Sequence, residues 1–325
     1  MSCLSRSPAR RADAPEEDTR DELEAPEPRD ATVAPVAGVE LGFELDLQGL
    51  ADASRGRRLW LREARRQLDE HRRREAAPIP RSRPERRAEA KRRLEQELEC
   101  ERRANEAYEQ YRANGRMRDG RRFGMPPKPY EPPETPQGEV NLTDPDARLI
   151  KARRGFVLGY NAQAAVDENQ IVLAAEIEIE SGDFGHFEPM VNAIQTELEK
   201  AGVTDKPQVA AADAGYWNEQ QIDNVVADRG IQVLIPPDGS ERDGERPGWQ
   251  GGRYSWMRTV LSTPHAQELY RHRKMTVEPM FGHTKHNRGY TRFHRRGRAA
   301  VRTEWRLIAA THNLAKLHKH RLAVA

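Results

Sequence analysis

The sequence predicts an α/β fold in which a mixed sheet is flanked by helices, with a charged helical hairpin insertion and a disordered N-terminal tail. Three patterns support this fold class. Two stretches after residue 155 alternate apolar and polar residues, as the strands of a β-hairpin do. A strand–helix–strand pattern follows them and indicates a parallel part of the sheet. Upstream, two long stretches rich in Arg and Glu are separated by repeated prolines, which favours two charged helices.

The β-hairpin is predicted from "GYNAQAAVD" and "IVLAAEIEI", with "DENQ" as the turn between them. Successive side chains of a strand point to opposite faces, so every second residue shares a face. The apolar face of the first strand consists of Tyr160, Ala162, Ala164 and Val166. The apolar face of the second strand consists of Ile171, Leu173, Ala175, Ile177 and Ile179.

The strand–helix–strand unit begins after an amphipathic helix, "FEPMVNAIQTELEKAG", which Gly202 ends. Its first strand is the small-residue stretch "PQVAAADAGY". Its helix is "NEQQIDNVVADRG", with Asn218 as the N-cap and Gly230 after the last turn. Its second strand is "IQVLIPP" at 231–237. We therefore expect a core of hairpin and βαβ unit from about 155 to 237, with Asp213 at the edge of the sheet.

Composition divides the chain into four segments. Residues 1–50 are rich in Pro, Ala, Asp and Glu, as disordered segments are, although "VELGFELDLQGL" at their end suits a short element. Within the insertion, helices are expected at 57–75 and 85–113; a nucleic-acid role for their arginines is the alternative to a solvated hairpin. The four segments are an atypical or disordered tail at 1–50, a charged helical hairpin at 57–113, a proline-rich connector at 114–150, and a core with basic C-terminal helices at 151–321.

The two ends of the chain carry opposite charge, although the net charge is only +2. Residues 13–30 are mostly acidic, whereas 271–321 are crowded with Arg, Lys and His and contain only two acidic residues, Glu278 and Glu304. Such asymmetry indicates a polyanionic partner for the basic end. The start of the chain has no apolar core of a signal peptide, and the chain has two cysteines and no run long enough to span a membrane. We expect a cytoplasmic protein with no membrane partner.

Two carboxylates are candidates for chemistry. Asp213 follows the strand "VAAAD", at the edge where α/β sheets bind ligands. The alternative is an Asp that caps the next turn. Glu278 has Lys285 seven residues later, on the same helical face, and Pro279 after it predicts that Glu278 lies at or just before a helix start. Carboxylates that hold Mg²⁺ beside a phosphate-binding cation suit phosphodiester chemistry, whereas a surface ion pair is the simpler interpretation.

Histidines of the basic end raise the alternative of a zinc site. No cysteine accompanies them and their spacing matches no recognised zinc finger, so a basic surface is favoured over a metal site. These histidines are His283, His286, His294, His312, His318 and His320.

Three stretches together resemble the DDE-type transposases of bacterial insertion sequences: "GYNAQAAVDENQIVLAAEI", "AADAGYWNEQQI" and "VEPMFGHTKHNRGYTRFHRRGRAAVRTEWRLIAATHNLAKL". The resemblance runs from about 57 to 320 and is strongest to the subgroup with a charged helical insertion in its catalytic core. It implies an RNase H-like fold, Mg²⁺ or Mn²⁺ as cofactor, and cleavage and transfer of double-stranded DNA at transposon ends and target. A homodimer is a further expectation.

The resemblance assigns roles to individual residues. Asp213 matches the second catalytic aspartate and Glu278 the catalytic glutamate, which makes both of them metal ligands. Lys285 matches the lysine that follows this glutamate. Tyr270 and Arg273 correspond loosely to a tyrosine and an arginine ahead of the glutamate, at a spacing one residue longer than the common pattern.

In the family, the first catalytic aspartate lies on the first strand, in an Asp-Gly-Thr-like stretch. This chain has no such stretch, and its residues 1–50 do not resemble the family's first strand. Asp167 is either a turn residue of the hairpin or the missing carboxylate. From this departure we expect a copy truncated at its N-terminus, which cuts DNA poorly or not at all. The alternatives to a transposase are an inactive DNA-binding remnant of one and a structural protein that associates through 57–113.

DNA binding is expected mainly in residues 271–321, because cations there greatly outnumber acids. Four arginines cluster around the aromatic residues Tyr290 and Phe293 and are the candidate phosphate contacts. They are Arg288, Arg292, Arg295 and Arg296.

Overall fold

The computed structural model describes residues 4–5, 40–53, 56–75, 79–152, 155–239 and 244–324. The chain forms two compact units, one of residues 8–145 and one of residues 1–7 with 146–325. The disordered tail was expected at residues 1–50. Of these residues, only 4–5 and 40–50 are described, so the rest of this expectation lies outside the described residues.

The described part of the unit of residues 8–145 is built from three helices: α1 (Leu47–Ala53), α2 (Arg57–Glu75) and α3 (Arg83–Ala113). The two charged helices expected from the sequence are α2 and α3. A capping box starts α3, in which Ser82 and Glu85 exchange side-chain to backbone hydrogen bonds of 3.3 and 3.4 Å. The apolar cluster of this unit consists of Leu41, Leu50, Trp60, Ala64, Leu68, Cys100, Ala104 and Tyr108.

Leu41 and Leu50 are buried in that cluster, so residues 40–50 are a folded part of this unit rather than part of a disordered tail. The short element expected at 39–50 is α1, which begins eight residues later than residue 39 and ends at Ala53. Residues 114–147 hold turns and one isolated bridge, with no helix and no strand, and the last three residues of the connector predicted at 114–150 belong to a strand.

The other unit contains an antiparallel sheet of β1 (Leu4–Ser5), β2 (Arg148–Ala152), β3 (Gly155–Val166) and β4 (Val172–Glu178). Strand β3 pairs with all three of the others. The hairpin expected from the sequence is confirmed as β3 and β4, in which Ala162 lies opposite Ile177 and Ala164 opposite Ala175.

The parallel part of this unit follows the hairpin. It consists of α4 (Phe187–Lys200), β5 (Val209–Ala211), a 3₁₀ turn (Ala214–Tyr216), α5 (Glu219–Arg229) and β6 (Gln232–Leu234). Strands β5 and β6 are parallel, so the predicted βαβ unit is confirmed. Asn218 caps α5 through a hydrogen bond from the Gln221 amide, and Gly230 ends it with a φ of 66°.

The parallel and antiparallel strands do not join into the single mixed sheet that we expected. Within the part of the chain that the structure describes, β5 and β6 form a sheet of two strands, separate from the sheet around β3. The reason is that no described strand lies hydrogen-bonded between β3 and β5. The two sheets accordingly pack on separate apolar clusters.

Four helical segments complete this unit: α6 (Gly252–Ser262), α7 (Pro264–Gly282), a π-helical turn (His283–Asn287) and α8 (Arg298–Val324). Met280, Phe281, Val301 and Trp305 pack on the apolar face of the hairpin, which includes Tyr160, Ala162, Ala164, Ala175, Ile177 and Ile179. Helix α7 also contacts β5, so it lies against both sheets. No helix among the described residues is long and apolar enough to cross a membrane.

Two expectations about this segment are wrong. The helical region expected at 266–320 is interrupted, because residues 288–297 form an irregular loop with positive φ at Gly289 and Gly297. Glu278 does not lie at a helix start, because α7 begins at the Thr263 cap and Pro264, and Pro279 lies inside the helix. The carbonyl of Met275, which Pro279 cannot bond, accepts a hydrogen bond of 3.1 Å from Gln170 Nε2 instead.

Candidate active site

Asp213 lies just beyond the carboxyl end of β5, at the edge where the sequence placed it. Its Oδ1 atom accepts a hydrogen bond of 3.0 Å from the backbone N–H of Gly215 and so caps the 3₁₀ turn. The two interpretations of this residue, a sheet-edge ligand and a cap, therefore apply together.

Asp183, which the sequence did not indicate, lies beside Asp213. It follows β4, and its Oδ1 atom accepts hydrogen bonds from Asn161 Nδ2 at 3.0 Å and Gln163 Nε2 at 3.2 Å. A methyl group placed on Gly215 would lie 3.2 Å from Asp183 Oδ2 and 3.1 Å from Asp213 Oδ1. Oxygens of both carboxylates thus border one small space that exists because residue 215 has no side chain.

Buried polar atoms surround the same carboxylates. Gln163 is fully buried, and its Oε1 atom has no hydrogen-bond partner among the described residues. The Tyr216 side chain is 1% exposed, and its hydroxyl lies within reach of Asp183. Burial raises the pKa of Tyr216, and the charges of Asp183 and Asp213 raise this pKa further, which places the hydroxyl near both carboxylates.

The charge at this place is unfavourable in the isolated chain. Burial raises the pKa of Asp183; a hydrogen bond from Asn161 opposes the rise, and the charge of Asp213 adds to it. Helix α7 contributes Tyr270 and Arg273 near Asp213. Burial raises the pKa of Tyr270. The charge of Arg273 lowers this pKa, and the charge of Asp213 raises it. The guanidinium of Arg273 lies 5.3 Å from the centre of the Tyr270 ring.

Glu278 forms no hydrogen bond or ion pair with Asp213 in the part of the chain that the structure describes. Glu278 is exposed on α7, whereas Thr276 and Met280 on either side of it are buried. Among the described residues, Glu278 has no hydrogen bond or ion pair, and no three or more His, Cys, Asp or Glu side chains form a group suited to a metal ion. Lys285 lies in the π-helical turn, with Nζ 5.9 Å from the centre of the Phe281 ring.

Asp167 is a turn residue. Its Oδ1 atom accepts hydrogen bonds from the backbone N–H groups of Asn169 at 2.9 Å and Ile171 at 2.7 Å. It lies at the turn end of the hairpin, whereas Asp183 follows the opposite end of β4. The turn interpretation is confirmed, and the structure gives Asp167 no place beside Asp213.

The four candidate arginines have different environments. Arg288 faces the protein, with Nη1 donating to Ile308 O at 3.3 Å and Nη2 to Thr311 Oγ1 at 2.6 Å. The aromatic residues Tyr290 and Phe293 are partly buried against the hairpin core and anchor the loop of residues 288–297. The remaining three arginines are exposed on this loop, and their side chains form no ion pair or hydrogen bond with the described residues. They are Arg292, Arg295 and Arg296.

Part of the basic charge of α8 is neutralised inside the unit. Glu176 of β4 is buried and accepts from Arg302 Nε and Arg306 Nη2, each at 2.5 Å, and Arg298 pairs with Glu178. Burial alone would raise the pKa of Glu176, but hydrogen bonds from Arg302 and Arg306 outweigh it and lower this pKa. These arginines fasten α8 to the sheet.

Two of the histidines also lie inside rather than on a basic surface. The rings of His283 and His312 are 5.5 Å apart, and His312 is 3% exposed. Burial lowers the pKa of both, and the neighbouring cations Lys316 and Arg288 lower these pKa values further. Both rings are therefore neutral near pH 7, and His312 Nε2 lies 3.0 Å from the carbonyl of Gln170.

Residues 249–318, about a fifth of the 325-residue chain, match the family model described as a transposase DDE domain. This segment contains α6, α7, the π-helical turn and most of α8, and it includes Glu278, Lys285 and the arginine-bearing loop. The resemblance to DDE transposases is thereby confirmed for this segment. The domain implies a transposase-family function, and DDE transposases typically use a divalent metal ion. No curated protein and no solved structure matches the chain.

The residues around Asp213 fit such an ion. Mg²⁺ prefers oxygen ligands and keeps several water molecules. Asp213 and Asp183 each supply a carboxylate oxygen to the space above Gly215, and a side chain there would fill that space. The buried Gln163 amide, whose Oε1 atom has no partner among the described residues, and the buried Tyr216 hydroxyl add polar atoms beside Asp183.

Proposed function

We propose that the chain is a DDE-type transposase with an RNase H-like core, which cleaves and transfers DNA strands with the help of Mg²⁺ or Mn²⁺. The observation that carries this proposal is the transposase DDE domain match at residues 249–318. The order of elements supports the proposed core: an antiparallel hairpin, a helix, a parallel βαβ unit and then helices. Asp213 at the carboxyl end of β5 supports the position of the site.

When bound, a divalent ion lowers the pKa of an attacking water or hydroxyl and stabilises charge on the leaving oxygen. Asp213 is proposed to hold the ion at the end of β5. Glu278 is proposed as a further ligand; it is exposed on α7, the helix that also contacts β5, and is proposed to close on the ion in the DNA complex. Such tightening in a substrate complex is common for catalytic groups.

The cations of this chain are proposed to bind and orient the DNA backbone. Arg292, Arg295 and Arg296 project from the loop of residues 288–297, which Tyr290 and Phe293 hold on the core. Lys285 is proposed to position a phosphate, as a compact charge close to Phe281. Phosphate contacts of this kind fix the register of a protein on DNA without reading its sequence. Arg288 contributes indirectly, because it fastens the start of the loop to α8.

A DNA-binding protein without catalysis is the second candidate. The specific observation that favours it is the exposure of Glu278, together with the engagement of Asp167 in the hairpin turn. In this alternative the exposed arginines bind DNA and the carboxylates do not cut it.

Strand cleavage by the purified full chain distinguishes the two candidates. The substrate is a labelled duplex from the DNA that flanks the gene, with Mg²⁺ or Mn²⁺ added. Cleavage that disappears in Asp213→Asn and Glu278→Gln but is kept in Asp228→Asn, a change at an exposed residue of α5, supports the transposase. DNA binding without cleavage in any preparation supports the second candidate, and cleavage unaffected by Asp213→Asn contradicts the proposed site.

A further inference from the structure

We propose that Asp183 is a metal ligand of this chain and shares a divalent cation with Asp213 in the space above Gly215. The inference deepens the proposed function, on which it rests for the choice of Mg²⁺ or Mn²⁺. Neither the sequence pattern nor the transposase domain match at 249–318 assigns a role to Asp183, which lies outside the matched residues.

The first support is the geometry of the two carboxylates. Two amide groups of β3 hold Asp183 Oδ1, and the other oxygen, Oδ2, is directed toward the place of a Gly215 side chain. Asp213 Oδ1 borders the same place, at 3.1 Å. Because hydrogen bonds hold one oxygen of Asp183 in place, its other oxygen is already oriented to bind a cation.

The second support is independent of the acidic residues. Gln163 is fully buried, yet its Oε1 atom has no hydrogen-bond partner among the described residues. Tyr216 is nearly as buried, and its hydroxyl lies within reach of Asp183. A buried polar atom without a partner costs about 1–3 kcal/mol, so such atoms usually have one in the functional state. Water molecules of a hydrated cation would serve Gln163 Oε1, because Mg²⁺ retains several of its waters when bound to carboxylates.

The third support is electrostatic. Two carboxylates whose oxygens border one space repel each other. Among the described residues no lysine or arginine forms an ion pair with Asp183. A bound divalent cation removes this repulsion, whereas a purely structural hydrogen-bond acceptor at position 183 needs no charge.

Calorimetric titration of the full chain with Mn²⁺ alone tests the inference. We expect one site in the wild type, weakened roughly tenfold to hundredfold in Asp183→Asn and at least as much in Asp213→Asn. Gly215→Ala should also weaken binding, because its methyl group occupies the space between the oxygens; its φ is not in the left-handed region. Asp228→Asn is the matched control and should bind like the wild type.

Thermal unfolding without metal separates the removal of a ligand from damage to the fold. Asp183→Asn should unfold at the wild-type temperature or above it. Added Mn²⁺ should stabilise the wild type and the Asp228→Asn control but not Asp183→Asn. Wild-type affinity in Asp183→Asn, or a site that survives in Asp213→Asn, overturns the inference. If Mn²⁺ binding depends on both residues, the inference holds even when the chain does not cleave DNA. If Asp183→Asn binds Mn²⁺ normally and still cleaves DNA, the inference is refuted but the proposed function is not.

Discussion

Asn161 Nδ2 donates a hydrogen bond of 3.0 Å to Asp183 Oδ1, and this contact joins the middle of β3 to the loop between β4 and α4. Asn161 and its neighbour on the same strand face, Gln163, are both buried although both are polar. They lie on the face of β3 opposite to its apolar residues. One face of this strand thus contributes to the core, and the other holds a carboxylate beside Asp213.

Replacement of Asp183 by asparagine should stabilise the metal-free chain at neutral pH by about 1 kcal/mol. The pKa of Asp183 is raised by burial and by Asp213 above the ordinary value of 3.8, so the folded chain holds its proton more tightly than the unfolded chain. The wild type therefore loses free energy of unfolding as the pH rises through this range, whereas Asp183→Asn does not. Urea unfolding without metal should show that Asp183→Asn is more stable than the wild type at pH 7 but not at pH 4. If Asp183→Asn is instead destabilised equally at both pH values, Asp183 has a structural role alone.

Replacement of Glu176 by glutamine should lower the free energy of unfolding by about 2 kcal/mol. The loss is smaller than for a fully buried ion pair, because Arg302 and Arg306 are about one third exposed and solvent screens their charges. The pKa of Glu176 is lowered below its ordinary value of 4.5, so its contribution is present above that pH and is lost as the pH falls. Denaturant unfolding at pH 7 measures the effect. Glu168→Gln in the exposed hairpin turn is the control and should have little effect; a Glu176→Gln change as mild as this control would contradict the prediction.

Acidification from pH 7 to pH 5 should destabilise the chain through His312. Burial lowers the pKa of His312 below its ordinary value of 6.5, and nearby cations, among them Lys316 and Arg288, lower it further. As the pH falls, the unfolded chain takes up the proton first, so the free energy of unfolding decreases. His312→Gln should flatten this pH dependence, measured as melting temperature, and His320→Gln at an exposed position should not. An unchanged slope in His312→Gln would exclude this cause.

Removal of the three exposed loop arginines should weaken DNA binding and its salt dependence without reducing stability. Each phosphate that an arginine no longer neutralises should reduce the slope of log affinity against log salt by about 0.9. Fluorescence anisotropy with a labelled duplex over a salt series measures this for the combined Arg292→Ala, Arg295→Ala and Arg296→Ala variant.

Arg288→Ala is the contrasting variant, because both of its terminal nitrogens are engaged within the protein. It should lower the melting temperature, with a smaller change in salt slope than the triple variant produces. An unchanged salt slope in the triple variant would show that the loop does not bind the DNA.

Local signals in the sequence were enough for the hairpin and the βαβ unit. The alternation of β3 and β4, the Asn218 cap and Gly230 all act within one element or one turn. Pro279 misled the prediction because its effect depends on a distant residue: Gln170, 105 positions before Met275, satisfies the carbonyl that the proline leaves free.

Asp183 could not be recognised for a related reason. Its hydrogen-bond donors lie 20 and 22 residues earlier on β3, and Asp213 comes from the other sheet. The one available signal was the polar pair Asn161 and Gln163 in an otherwise apolar strand, which alternation alone assigns to a solvated face. Burial of this face depends on tertiary packing rather than on local pattern.

Iron-directed cleavage of the full chain tests the central claim most directly. Fe²⁺ takes the place of Mg²⁺, and ascorbate with peroxide then cuts the polypeptide close to the bound ion. The account predicts fragments that end near Asp183 and Asp213, suppressed by excess Mg²⁺ and absent in Asp213→Asn. Cuts that fall instead near His283 and His312, or cuts near Asp213 that Asp213→Asn leaves unchanged, would contradict it.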